Sequence, residues 1–141
     1  MLLMTVLNDK NPDDKLRIIE FLLGAGADVN TVESKHSFNV LSLLYTNVPR
    51  ADPEYLVRVT SIFIEAGVDV NHVSRSGGTP LVEAIGALRA STDDLLPLFR
   101  LLLDAGADPY WQYPDGNNAI DYAKRFPWRN DLVPLLESAH A

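Results

Sequence analysis

The 141 residues include no cysteine. That excludes disulfides, thiolate zinc sites and a cysteine nucleophile, and it fits a reducing compartment. Basic side chains are outnumbered: 12 Lys and Arg stand against 19 Asp and Glu, for a net charge of -7. An acidic surface repels phosphate, so nucleic acid is not an expected partner. No apolar run approaches the roughly 18 residues a bilayer span needs, so no membrane span is expected. Residues 1–7 are apolar but lack a basic flank and a small-residue cleavage site. They do not read as a signal peptide, and an intracellular, cytoplasmic location is expected. They resemble the middle of a helix, and the chain is expected to be a piece of a longer protein. Histidine is scarce too. His36, His72 and His140 are not paired at metal-ligand spacing with one another or with a carboxylate. No metal or other cofactor is expected.

What the chain has is a repeat. Hydrophobic residues make up 47% and charged residues 22%, an ordinary globular balance, and the length suits one domain with a modest core. Three segments align: Leu22–Asn30, Phe63–Asn71 and Leu102–Tyr110. Their central glycines, Gly26, Gly67 and Gly106, lie 41 and 39 residues apart. In each copy an apolar helix runs into a glycine able to take the left-handed C-cap conformation. The helices before them carry apolar faces: Leu16, Ile18, Ile19, Leu22 and Leu23; Leu56, Val59, Ile62, Phe63 and Ile64; Leu95, Leu98, Leu101, Leu102 and Leu103. Asn11-Pro12, Asp52-Pro53 and Thr92-Asp93-Asp94 read as their starts. After each copy come a polar turn and a second helix, clearest from Ser76 to Ile85 and from Asp115 to Ala123.

This pattern resembles the ankyrin repeat family. The resemblance rests on the Ala-Gly-Ala-Asp-Val-Asn type segments, on Gly77-Gly78-Thr79-Pro80-Leu81, and on Asp115-Gly116. It covers nearly the whole chain and implies an all-α, ankyrin-like helical repeat solenoid of paired antiparallel helices with extended turns. A single domain over 1–141 is expected, with a partial repeat at 1–30, repeats at 31–70 and 71–109, and a truncated capping repeat at 110–141. The departures are a period of 39 to 41 residues against about 33 in the family, and Val82 where the family motif has histidine. The extra residues fall around Thr46–Asp52 and Leu88–Asp93.

Stacked repeats bury one continuous core and leave an extended concave surface. In the family that surface binds proteins, so the resemblance implies a non-catalytic module that holds another protein through turn tips and inner-helix faces. The matching tip positions are Val32, Ser34, Lys35 and Ser37; Val73, Arg75, Ser76 and Gly78; Gln112, Pro114, Asp115 and Asn117. The matching inner-helix positions include Tyr45, Gly86 and Arg125. Six of the twelve aromatic residues, Tyr110, Trp111, Tyr113, Tyr122, Phe126 and Trp128, fall in the last unit. They fit a cap that closes the core or a contact patch, with Trp111 and Tyr113 the best contact candidates. The alternative to a binding module is a structural segment that packs against other parts of a larger parent protein. Exposed repeat ends would also allow weak self-association.

Other signals have plainer readings. Gly24-Ala25-Gly26 lacks a third glycine at Val29 and follows a helix pattern, so it is not a dinucleotide loop. Ser76-Gly77-Gly78-Thr79 reads as a turn, a Thr N-cap and Pro80 at the first helical position rather than an anion nest. Asp13-Asp14 and Asp93-Asp94 are adjacent on helices, point apart, and suit the positive helix end. Ser61, Ser91 and Ser138 lack a nucleophile-elbow context. Pro97 and Pro134 match in place; with Asp94 and Asp131 as N-caps, each would sit in a first turn and Trp128 in a connecting loop.

Overall fold

A computed structural model of the chain describes residues 2–7 and 11–139; the His140 reading lies outside them. Eight α-helices follow in order among these residues: α1 (Leu2–Leu7), α2 (Pro12–Gly24), α3 (Val40–Asn47), α4 (Pro53–Glu65), α5 (Pro80–Ala87), α6 (Thr92–Asp104), α7 (Ala119–Arg125) and α8 (Val133–Ser138). A 3-10 turn, Pro127–Leu132, links the last two, and no strand occurs among the described residues. The short helices α1, α3, α5 and α7 pack side by side as an inner row. The longer α2, α4 and α6, followed by the 3-10 turn, form the outer row. The fold is the ankyrin-like, all-helical solenoid that the repeat pattern implies.

The outer helices end alike for a local reason. Gly26, Gly67 and Gly106 have φ of +94°, +93° and +99°. This lets the N–H of each glycine and of the next residue turn back onto the helix: Gly26 N to Leu23 O and Ala27 N to Leu22 O, with the same pair of bonds at 64/63 and 103/102. That arrangement satisfies helix-end carbonyls that would otherwise be orphaned. The starts of the longer helices, and those of α3 and α7, are capped by side chains. Asn11 accepts from Asp14 N at 2.9 Å, Asp52 from Glu54 N at 3.3 Å, and Asn39 from Leu41 N and Ser42 N. Asn118 and Asp121 form a reciprocal capping box.

Several sequence expectations are corrected here. Ser91, not Asp94, caps α6 through Asp94 N, so Pro97 stands inside the helix rather than in its first turn. Its ring deprives the Asp93 carbonyl of a donor; Pro97 is exposed, on the side that water reaches. Asp131 is not the cap of α8, whose preceding residue is Leu132, and Trp128 sits in the 3-10 turn rather than a loop. Thr79 precedes α5 without a side-chain capping bond; its hydroxyl is buried and unpartnered.

The core runs the length of the stack. Leu16, Ile19, Leu56, Val59, Phe63, Leu95, Leu98, Phe99 and Leu102 from the outer row meet Val40, Leu41, Leu44, Leu81, Ala84 and Ile85 from the inner row. Inner-helix residues 40–45 are all buried because α3 is wedged between α1 and α5.

Candidate protein-binding surface

The tips are held by bonds that recur from unit to unit. Asn30 donates its amide to Gly67 O at 3.1 Å and accepts from Asp69 N at 2.8 Å. Asn71 makes the matching pair with Gly106 O and Asp108 N, both at 2.8 Å. Each asparagine therefore fixes the next unit's turn by two bonds. The third copy has Tyr110 at this position, which has no amide to make a further rung. Asp28, Asp69 and Asp108 orient the ladder by each accepting from the backbone N–H two residues on.

Each tip then folds on itself and onto its neighbour. Glu33 accepts from the N–H groups of Lys35, His36 and Phe38 at 2.8, 2.6 and 3.2 Å. Desolvation opposes the charge there, but the three donors together hold the carboxyl below its ordinary range. The first tip has one residue more than the others, with Ser37 at φ +56° where the others use Gly77 and Gly116. Arg75 spans the gap between tips: its guanidinium donates to Ser34 O and Lys35 O at 3.0 and 3.1 Å, and its N–H to His36 O at 2.9 Å. His72 Nε2 lies 2.7 Å from Ser37 O. The third tip reaches back through Trp111, whose indole N–H donates to Gly77 O at 3.2 Å. Apolar side chains stay open on all three tips: Val32 is 39% exposed, Val73 38% and Trp111 42%.

Lys35, Ser76, Gln112, Asp115 and Arg125 are exposed as well, and Asn117 is half-buried. The Ser76 hydroxyl lies 3.1 Å from that of Ser74, and Asn117 N donates to Asp115 at 3.0 Å. Tyr122 donates to Asp115 at 2.6 Å, and the Arg125 guanidinium sits 5.3 Å from the Tyr122 ring centre. The Tyr122 bond, then that of Asn117, keeps the Asp115 carboxyl below its usual range; the same bond raises the Tyr122 hydroxyl.

Tyr45 needs correcting as a surface residue. It is fully buried, with its hydroxyl 2.8 Å from that of Thr60 on α4, so it holds the two rows together. Burial pushes its ionisation well above the ordinary tyrosine value. Tyr113 is half-buried: its ring lies over Gly78, where a Cβ would collide with the ring and hydroxyl. Its hydroxyl donates to Glu83 at 3.3 Å. Burial raises both groups, and the Glu83 charge raises Tyr113 further. The aromatic residues of the last unit thus divide. Tyr113 packs inward, whereas Tyr110, Trp111 and Trp128 stay exposed, Trp128 stacked on Phe126 with ring centres 4.8 Å apart.

Arg129 was not signalled by the sequence. It is fully buried and donates to Ile85 O, Ala90 O, Leu88 O and the Thr92 hydroxyl at 3.0, 3.0, 2.7 and 3.2 Å. Thr92 in turn donates to Trp128 O at 3.1 Å. The guanidinium closes the C-terminal end of α5 and ties the 88–91 loop to the last unit. Desolvation lowers its pKa, with Asp131 opposing. An arginine that serves carbonyls 39 to 44 residues away has no local pattern to betray it. The asparagine rungs did have a signal, recurrence at one place in two copies.

Among the described residues, no group of three His, Asp or Glu side chains is placed to hold a metal ion. No described helix is long and apolar enough to cross a membrane.

No protein-family model matches the chain. A protein of Acanthamoeba polyphaga mimivirus named as an ankyrin repeat protein is 27% identical over 127 residues, which cover 89% of this chain and 70% of that one. With that similarity along most of its length, three Asp-ended glycine caps in register and four stacked helix pairs, the chain resembles the ankyrin repeat proteins in sequence and in fold.

Proposed function

We propose that the chain is a non-catalytic protein-interaction module that holds its partner through the turn tips and the inner-helix face. The observation that carries this reading is that Val32, Val73 and Trp111 are exposed on tips already ordered by Glu33, Arg75 and the asparagine rungs. Ordered tips lose little conformational entropy when a partner docks, and partly exposed aromatic and aliphatic side chains flanked by Lys35, Arg75, Gln112 and Asp115 make a mixed contact surface. The tagged chain should retain a partner in pull-downs, and V73E/W111A should lose it while keeping the helical circular dichroism signal. Retention by that variant would refute the tip reading.

One observation favours the alternative, a segment that packs against more of a parent protein. Val59 and Leu98, Phe63 and Leu102 are fully buried by the preceding outer helix, whereas their register equivalents Ile18 and Leu22 on α2 are only half-buried. Phe21 beside them is 73% exposed. This face is what a neighbouring helix pair would cover, and it is also the surface for weak self-association. Charging it with F21E tests both uses: a dimer lost on F21E supports self-association. A partner lost on F21E but not on V73E/W111A supports packing within a parent protein.

A further inference from the structure

The outer helices begin at the end of the array away from the tips. One groove opens there between α2 and α4, and another between α4 and α6. The first, of about 220 Å³, has Pro12, Asp13 and Leu16 on one side and Asp52, Glu54, Tyr55 and Arg58 on the other. The second, of about 270 Å³, has Pro53, Glu54 and Val57 facing Asp94 and Pro97. The two are one site repeated. Pro12, Asp13 and Leu16 recur 41 residues on as Pro53, Glu54 and Val57, and Tyr55 and Arg58 recur 39 residues on as Asp94 and Pro97. These are the intervals of the glycine caps, so the grooves lie one repeat step apart. Glu54 borders both.

Each groove joins apolar walls to exposed carboxylates. Asp13, Asp14, Asp52, Glu54, Asp93 and Asp94 stand at the starts of the three outer helices, where the helix dipole favours them. Of these only Asp14 is ion-paired among the described residues, with Arg17. Arg58 is the cation on the groove walls; Lys15 and Arg50 line the neighbouring cavity on the loop edge. No three of the acids are placed to hold a metal ion among the described residues. Two further features point to a ligand. Tyr55, 6% exposed, lines the first groove, and its hydroxyl is buried without a hydrogen-bond partner. Pro97 stands exposed inside α6 and has no N–H for the Asp93 carbonyl. A proline there weakens the helix. What it supplies is a wall of the second groove and, beside it, an acceptor short of its donor.

We propose that this end of the outer helices is a second binding surface, which takes a basic segment of another protein. Apolar side chains of the segment enter the two grooves. Its lysine or arginine side chains meet Asp13, Asp52, Glu54, Asp94 and the Asp93 carbonyl. The net charge of -7 draws such a partner in at long range, and the carboxylates along the grooves fix where it docks. The surface lies at the opposite end of the outer helices from the tips and is independent of the contact assigned to them.

The test is selection of displayed random twelve-residue peptides against the whole chain, followed by affinity measurements on the selected peptides. Enriched peptides should combine lysine or arginine with apolar residues. Their binding should weaken about tenfold or more in E54K/D94K. It should stay within about twofold of wild type in V73E/W111A and in E65K/D104K, which changes the net charge equally at the other end of the same helices. P97A, which returns a donor to the Asp93 carbonyl, should raise the melting temperature and yet weaken binding about fourfold. Glu54, Asp94 and Pro97 are exposed, so circular dichroism should show these variants folded. Failure to enrich basic peptides overturns the proposal, as does binding indifferent to E54K/D94K or to P97A. Equal loss in E65K/D104K would reveal a general attraction of opposite charges and overturn it too. Loss in V73E/W111A would move the contact to the tips, overturning the proposal while leaving the tip reading intact.

Discussion

Replacing Arg129 with alanine removes four donors at once from a site that water does not reach. The carbonyls of Ile85, Leu88 and Ala90 lose the charged donor that serves them. A buried acceptor left without its donor costs about 1–3 kcal/mol, and the missing side chain adds a cavity against Phe99, whose ring centre lies 5.6 Å from the guanidinium carbon. Relief from burying an uncompensated charge works in the opposite direction by several kcal/mol. The three carbonyls and the cavity outweigh it, for a net loss of about 3 kcal/mol. With an unfolding entropy of about 2.1 cal/mol/K per residue, the melting temperature should fall by roughly 10 °C. Thermal and urea unfolding followed by circular dichroism measure this. R129M, which restores volume but not donors, should recover less than half of the loss. A drop below roughly 3 °C in R129A, or full rescue by R129M, would refute the claim that the hydrogen bonds, rather than packing, hold the last unit.

Other consequences can be checked in the same way. N71A removes the rung to Gly106 O and Asp108 N and should cost about 1–2 kcal/mol in urea unfolding, whereas N71D, which keeps the acceptor, should cost less. G78A should displace the Tyr113 ring and cost about 1–3 kcal/mol, with a changed near-ultraviolet tyrosine signal as the local marker. Asp115 and Glu33 have folded pKa values below their unfolded ones. Their stabilisation is therefore present above the unfolded value near pH 4 and disappears as pH falls through the folded values. In D115N the stability lost on acidification below about pH 4 should be smaller than in the wild type, seen in urea titrations from pH 6 to 2.5.

Much of the architecture can be read from local chemistry. A glycine forced to positive φ at the end of an apolar helix is written into the sequence, and so are Asn11-Pro12 and Asp52-Pro53 as helix starts. The start of α6 was ambiguous because Ser91, Thr92, Asp93 and Asp94 all cap well, and taking the wrong one moved Pro97 from the helix interior to its first turn. Tyr45 was misplaced for a different reason. Residues 40–45 are all buried, so no polar stripe marks an outer face, and the tyrosine hydroxyl is satisfied by Thr60 from another helix. Arg129 and the inward-packed Tyr113 depend on contacts 30 to 44 residues away. The tip residues were placed by register, and most are exposed, but Gly78 is buried under Tyr113 and Ser37 and Asn117 are half-buried; the bonds that make Arg75 a bridge between tips join backbone carbonyls that any sequence would supply.

Amide hydrogen exchange over the whole chain, with and without a partner recovered by pull-down, tests the central claim most directly. A module that binds through its tips should gain protection at residues 73–78 and 111–117, with α1 and α2 unchanged. Protection confined to α1 and α2, with the tips exchanging as in the free protein, would contradict it.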